Sequence, residues 1–293
     1  MEENFDQTDS VDRDSLSREG NLRFGKLFRR ALVITWKHRV LWVFGFLVAL
    51  DINLRFLWYY LPSPEQENLR SCLQSLIWLL FTIVNFLGTA AQIDQINRVE
   101  EGSPTSLSAG WTAGKRFVWR LCLILAIPLV ALSVALVPAF IGIEFLKPVA
   151  QEYLPLLDCI VPIGVVFLIC LFLLVILVIA LASCACVLKD CSASESLEEG
   201  WRLFRAHKGQ AIELLIITTG IGLAVNFLFR SGWRIIQGMS SQAGLTVKGG
   251  VSILGWLLGM MIFVIMATFD NACWTLAYRE WTKSAEILEA VQE

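Results

Sequence analysis

The residues with the clearest chemical potential in this chain are ionisable groups set in apolar surroundings. Asp51 and Arg55 stand four positions apart within the stretch 40–61, a spacing that puts two side chains on one face of a helix. Asp51 lies 11 residues past Val40, about 16 Å along a helix and close to the middle of a hydrocarbon layer about 30 Å thick. A charge at that depth is costly, so such a pair is a candidate intramembrane site by default. Two readings follow. Either the pair lines a polar path for a small solute, or the helix unwinds after Leu50 and leaves Asp51, Asn53 and Arg55 in an outer vestibule.

The other reactive residue types do not assemble into a site. His38 and His207 both fall in basic segments near a tryptophan. Cys122, Cys170, Cys184 and Cys186 lie inside apolar runs, and Cys184-Ala-Cys186 reads as small-residue helix packing. Only Cys72 and Cys159 approach an outer edge where a disulfide could form. There is no HExxH, no His/Cys/Asp cluster with metal-ligand spacing, no GxSxG elbow and no Walker-type phosphate loop. Neither an enzyme nor a metal or organic cofactor is therefore expected. An intramembrane enzyme working on lipid headgroups would need a nucleophile or base that no motif supplies.

What must position these residues is a set of membrane helices. Hydrophobic residues make up 56% of the 293, and charged ones only 17%, too apolar a balance for an ordinary soluble domain. Mean hydropathy of +0.63 points the same way. A net charge of −2 argues against nucleic acid as a partner. Six stretches reach the roughly 20 apolar residues that a span requires: about 40–61, 72–93, 117–145, 159–188, 211–229 and 251–269. Pro128 and Pro138 give the third a reason to kink. Asn85, Asn226 and Asn271 can bond between helices, while Gly220, Gly222, Gly255 and Gly259 offer small surfaces for close approach. Glu213 and Asp270 sit at the inner ends of their spans, within reach of headgroups. Residues 1–20, polar and acidic, read as a disordered tail, and 282–293 as a short cytoplasmic one.

Lysine and arginine set the direction. Eighteen of the 24 fall on one side of these spans, which by the positive-inside rule is the cytoplasm and holds both termini. The last external segment, 230–250, runs against the rule with Arg230, Arg234 and Lys248. Trp58, Tyr59 and Tyr60 suit an aromatic belt at the outer interface.

A repeat organises the spans. Ser106-Leu-Ser-Ala-Gly-Trp111 and Ser196-Leu-Glu-Glu-Gly-Trp201 lie 90 positions apart and agree at four of six places, with Ala31-Leu-Val-Ile-Thr-Trp36 as a weaker copy. Each leads into two spans. The expected fold is thus all-α: a polytopic integral membrane protein with six transmembrane helices as three repeated hairpins, each preceded by an amphipathic interfacial helix. The apolar stripes of those helices are Phe24, Phe28, Leu32 and Trp36; then Leu107, Trp111 and Val118; then Leu197, Trp201 and Phe204. Ser196 and Glu199 have capping-box spacing, which starts the third helix there, and Ser106 can cap the second. Trp36, Trp111 and Trp201 serve as interfacial anchors beside cations that face anionic lipid.

The Trp36…Leu41-Trp42 stretch, the lead-in Ser196–Phe204 and the closing Ala272-Cys-Trp-Thr-Leu-Ala-Tyr-Arg279 resemble a family of uncharacterised prokaryotic six-span membrane proteins. That family is similar to the membrane domain attached to some glycerophosphodiester phosphodiesterases. The resemblance covers about residues 24–281, the six-helix domain being 21–281. It implies a membrane module without the attached enzyme, and carries over no catalytic residue. The expectation is a non-enzymatic integral protein of the plasma membrane, structural or regulatory, acting through membrane lipids or a membrane or cytoplasmic protein partner. The alternative is a small-solute transporter or channel with its path near Asp51 and Arg55.

Overall fold

The structure, a computed structural model, describes the backbone of residues 24–58, 67–150, 154–240 and 245–292, and the side chains of residues 24–50, 71–134, 162–238 and 250–285. Among the described residues there is no strand. Eight helices of the described residues follow in order: α1 (Phe24–Lys37), α2 (Val40–Trp58), α3 (Glu67–Glu100), α4 (Leu107–Ala150), α5 (Leu154–Lys189), α6 (Ala193–Ala206), α7 (Lys208–Ser240) and α8 (Leu245–Gln292). Long apolar runs take this form because a helix satisfies its own backbone where no water can. Five of them, α3, α4, α5, α7 and α8, are long and apolar enough to cross a membrane. The pair α1–α2, bent by 99° at its break, makes a sixth if taken as one span. The residues read as an acidic tail, 1–20, lie outside the described residues.

Among the described residues, four turns between helices have an identifiable cause. At the α1–α2 corner the Trp42 indole donates to the Thr35 carbonyl at 2.8 Å and packs edge-on against Trp36. Between α3 and α4, Gln95 Oε1 accepts from the Ser106 N–H at 2.9 Å, and Ser106 Oγ caps the Ala109 N–H. After α5, Asp190 adopts φ of 55°, and its carboxylate is held by Arg116 and Arg120 of α4. Arg120 also donates to the Asp190 and Cys191 carbonyls. His207 separates α6 from α7 and stacks on Trp281 with ring centres 5.4 Å apart. Burial there lowers its pKa.

Two expectations about the lead-in segments need correction. The third begins four residues earlier than Ser196: Ser192 is the N-cap, and Glu195 reaches back to its N–H to complete a capping box. Both Ser-x-x-Glu pairs have the spacing, but the left-handed turn at Asp190 ends α5 so abruptly that the earlier one captures the helix start. Ser196 becomes a buried helical residue whose hydroxyl bonds the Ser192 carbonyl. Glu199 joins Lys189 and Arg202 instead. The second segment is no separate helix at all. Its residues form the first turns of α4, which runs unbroken through Pro128 and Pro138.

The faces turned toward the protein are also offset from the apolar stripes. In α1 the buried residues are Leu27, Ala31, Ile34 and Thr35, while Leu32 and Trp36 are exposed. In α6 they are Ala193, Ser196, Gly200, Leu203 and Phe204. Leu107 is exposed, whereas Val118 is buried. The glycine of the repeated motif is explained by close helix approach. A Cβ on Gly110 would lie 2.5 Å from the Phe44 ring, and one on Gly200 would lie 2.8 Å from the backbone of Ala182.

Packing is concentrated at one end of the bundle. The buried core is drawn from the C-terminal part of α3, the N-terminal part of α4, the C-terminal part of α5, the start of α7 and the C-terminal half of α8, with α1 and α6 against them. All the ion pairs among the described residues lie at this end, including Arg30 with Glu100, Arg98 with Asp94 and Lys189 with Glu199. Deep in the same end, Gln92 Nε2 donates to Thr268 Oγ1 at 2.8 Å and to the Leu41 carbonyl at 3.2 Å. Asn271 donates to Gln92 Oε1 at 2.6 Å. This network ties α2, α3 and α8 together. A Cβ on Gly45 would sit 2.5 Å from Thr268 Oγ1, so α2 crosses α8 at the network itself.

Candidate functional site

At the opposite end the helices part around a cavity of about 1190 Å³. Its walls come from α2, α3, α5, α7 and α8, with Leu125 of α4. Most of the lining is apolar, as with Ile176, Leu223, Phe229, Trp256 and Phe263. The floor is formed by Thr218, Asp270, Asn271 and Trp274, below which the core is fully buried. Thr218 and Trp274 are the polar neighbours of the Asp270 carboxylate. At the mouth stand Arg230, Arg234 and Gln237. Trp233 lies on Gly255, so the mouth and floor are separated by the 15 residues from Gly255 to Asp270, about 22 Å of helix.

One row of α7 side chains runs the length of this space: Thr218, Gly222, Asn226, Arg230 and Arg234, each four residues from the next. Rows of this spacing are natural ridges of a helix surface. α7 packs along α8 and has little contact with α5 or α6. The cavity is therefore bounded on that side by the exposed, apolar edges of Leu223 and Ile176. The glycines of the last hairpin work differently from the expectation. Gly220 and Gly222 have nothing within 4 Å of a Cβ position, so they are not close-packing points. Gly255 and Gly259 make room for aromatic rings, Trp233 and Phe229, which stack with centres 6.2 Å apart.

The predicted site residues are placed unevenly. Asp51 and Arg55 lie on α2, which continues as helix past Leu50 to Trp58 and does not unwind there. Their side chains are outside the described residues. Trp36, Trp111 and Trp201 are 53%, 45% and 39% exposed. Lys115 sits 5.4 Å over the Trp111 ring and Arg205 5.7 Å over that of Trp201, within the range of cation–π attraction. Asp270, expected to reach the headgroups, instead faces the cavity, because α8 continues as packed helix through Trp281. Glu213 is exposed. Cys72 and the six other described cysteines are free thiols. Among the described residues no three His, Cys, Asp or Glu side chains gather to hold a metal.

Two features escaped the sequence reading. Gln92 looks like any polar residue near the end of a span, and only the crossing of α2 and α8 makes it a hub. The arginine row did leave a signal: from Leu214 to Phe269 the chain has no Asp or Glu, yet carries Arg230, Arg234 and Lys248.

Fold and cavity together define, among the described residues, an all-helical arrangement with five to six helices long and apolar enough to span a membrane, around a partly open apolar space. By its sequence the chain belongs to the DUF7847 family, a domain of unknown function, whose family model matches residues 22–281. No curated protein and no solved structure matches the chain.

Proposed function

We propose that this is a non-enzymatic, multi-pass protein of the plasma membrane, structural or regulatory in role, which works by holding membrane lipid in the cavity beside α7. The observation that carries this reading is the cavity's construction. It is a large apolar space within membrane-crossing helices, closed by packed core at one end and flanked by exposed apolar side chains between α5 and α7. Such a space is matched by acyl chains and poorly matched by a water-soluble molecule.

On this reading the chain is three hairpins, α2–α3, α4–α5 and α7–α8, introduced in turn by α1, the first turns of α4, and α6 as amphipathic interfacial segments. The like roles of Gly110 and Gly200 support a common origin for the second and third. The excess of basic residues supports a cytoplasmic position for the ion-paired end and both termini. Likeness to the membrane domain attached to some glycerophosphodiester phosphodiesterases supports a module that acts beside a protein partner.

The test obstructs the cavity without disturbing the packing. Gly222 lines it and has open space at its Cβ; Gly220 has the same freedom but is not part of the lining. Purified in mild detergent and weighed by native mass spectrometry, wild-type protein and Gly220→Trp should carry tightly held lipid, and Gly222→Trp should not. Equal lipid on all three would refute the reading. A second reading, small-solute transport, draws support from the polar row and the Asp270 floor. It moves the path from Asp51 and Arg55 into this cavity. Solute flux in proteoliposomes that Gly222→Trp blocks would put it first.

A further inference from the structure

The mouth of the cavity carries charge that no carboxylate among the described residues neutralises. Arg230 and Arg234 both line it, four residues apart on α7, where like charges repel. Neither makes an ion pair among the described residues. Their own hairpin offers no carboxylate between Glu213 and Asp270. Asp270, the one acid among the described residues of the lining, is at the far end of the cavity. A role in completing the helix dipole does not account for them, because α7 runs on to Ser240 and that effect is confined to the last turn. They also belong to the segment that breaks the positive-inside pattern, so topology does not account for them either.

Resting on the lipid reading above, we infer that the cavity takes an acidic phospholipid, its head paired with Arg230 and Arg234 and its chains along the apolar wall below. Charge alone fixes the orientation. The arginines draw an anionic head to the mouth, and among the described lining no cation stands at the floor to compete for it. Arg suits this task because its planar guanidinium bonds phosphate through two parallel N–H groups. Asn226 lies one turn below Arg230 in the same row, about 6 Å along the axis, at the depth of the glycerol esters, where its amide can donate. The chains then follow Leu223, Phe229, Ile262 and Phe263. A single leaflet is about 15 Å of hydrocarbon, shorter than the distance from mouth to floor, so the chain ends stop above Asp270.

The full-length protein in detergent is offered equal amounts of phosphatidylglycerol and phosphatidylcholine with identical chains, and the bound lipid is read by native mass spectrometry. Wild type should favour the acidic lipid by about 30-fold, the effect of two arginines near a membrane surface. Arg230→Gln/Arg234→Gln should keep bound lipid and lose the preference. Arg230→Lys/Arg234→Lys should retain most of it, and Lys115→Gln, at the other end of the bundle, all of it. A wild type without preference, or a preference that survives the double Gln variant, overturns the headgroup assignment while leaving the cavity reading intact. Lipid that binds equally to Gly222→Trp overturns the cavity reading and this inference with it.

Discussion

Gln92→Leu should cost the bundle far more than its single amide suggests, and the structure gives the size. Gln92 is fully buried and joins three helices through bonds of 3.2, 2.8 and 2.6 Å to the Leu41 carbonyl, Thr268 and Asn271. Leucine fills the same volume without the amide. The Thr268 hydroxyl keeps its own acceptor, the Val264 carbonyl at 2.8 Å, so it is not orphaned. The Asn271 amide loses its acceptor, Gln92 Oε1. Interhelical hydrogen bonds within membranes average about 0.6 kcal/mol and reach about 1.7, and a buried donor left unpaired costs about 1–3 kcal/mol. The expected loss is therefore about 2–3 kcal/mol. Equilibrium unfolding in mixed micelles, followed by tryptophan fluorescence, would measure it. Adding Asn271→Leu makes a cycle in which the double variant is less damaging than the sum of the singles, with a coupling of about 1 kcal/mol. A coupling indistinguishable from zero, with Gln92→Leu within about 0.5 kcal/mol of wild type, would show that the helices are held by shape alone.

Other consequences are equally open to measurement. Gly45→Ala places a methyl 2.5 Å from Thr268 Oγ1 and 2.8 Å from the Val264 carbonyl; it should destabilise by about 1–3 kcal/mol despite better helix propensity, read in the same unfolding assay. At Asp190, alanine loses the grip of Arg116 and Arg120 and strains a backbone with φ of 55°. Glycine loses only the grip, so Asp190→Gly should unfold at a higher denaturant concentration than Asp190→Ala. Acid should loosen α6. Burial pushes the Glu199 carboxyl up, but hydrogen bonds from Arg202 and Lys189 outweigh it and leave it below the ordinary 4.5; the Ser192 N–H lowers Glu195 likewise. Depressed acids stabilise above their unfolded pKa and lose that effect as pH falls through the folded one. Amide exchange in α6, corrected for intrinsic rate, should thus be unchanged from pH 7 to 5 and faster near pH 3, and flat protection would contradict the pairing. His207, lowered by burial against Trp281, adds stability above pH 6.5 that fades as pH drops below it; His207→Phe should remove that component of the pH profile.

Helices long and apolar enough to span a membrane were legible because hydrocarbon imposes one rule on every residue in it, and runs such as 162–188 and 250–269 carry no charged residue. The helices extend beyond those runs at the packed end, since there protein replaces lipid as the neighbour and polar residues such as Gln92 and Gln95 can be buried. Which face of α1 or α6 turns inward was not legible. Against lipid an exposed leucine costs nothing, so the apolar stripe of Leu32 and Trp36 does not mark the buried side. The helix start at Ser192 was hidden by a second, identical spacing one turn on. Asp51 and Arg55 drew attention by charge, whereas the cavity is made by the gap between α7 and α5, a property of no single residue.

The uneven packing of this bundle gives its two ends different mechanical properties. At the ion-paired end, helix rests on helix through residues such as Leu121, Leu181, Ala277 and Trp281, and interiors of that kind are nearly incompressible. Around the cavity, Ile176, Leu223, Phe227 and Ile253 are exposed, so that side has no comparable packing. A force that moves α7 away from α5 therefore meets little packed protein, whereas the ion-paired end resists it. On the lipid reading proposed above, the chains held in the cavity would set the width of that gap.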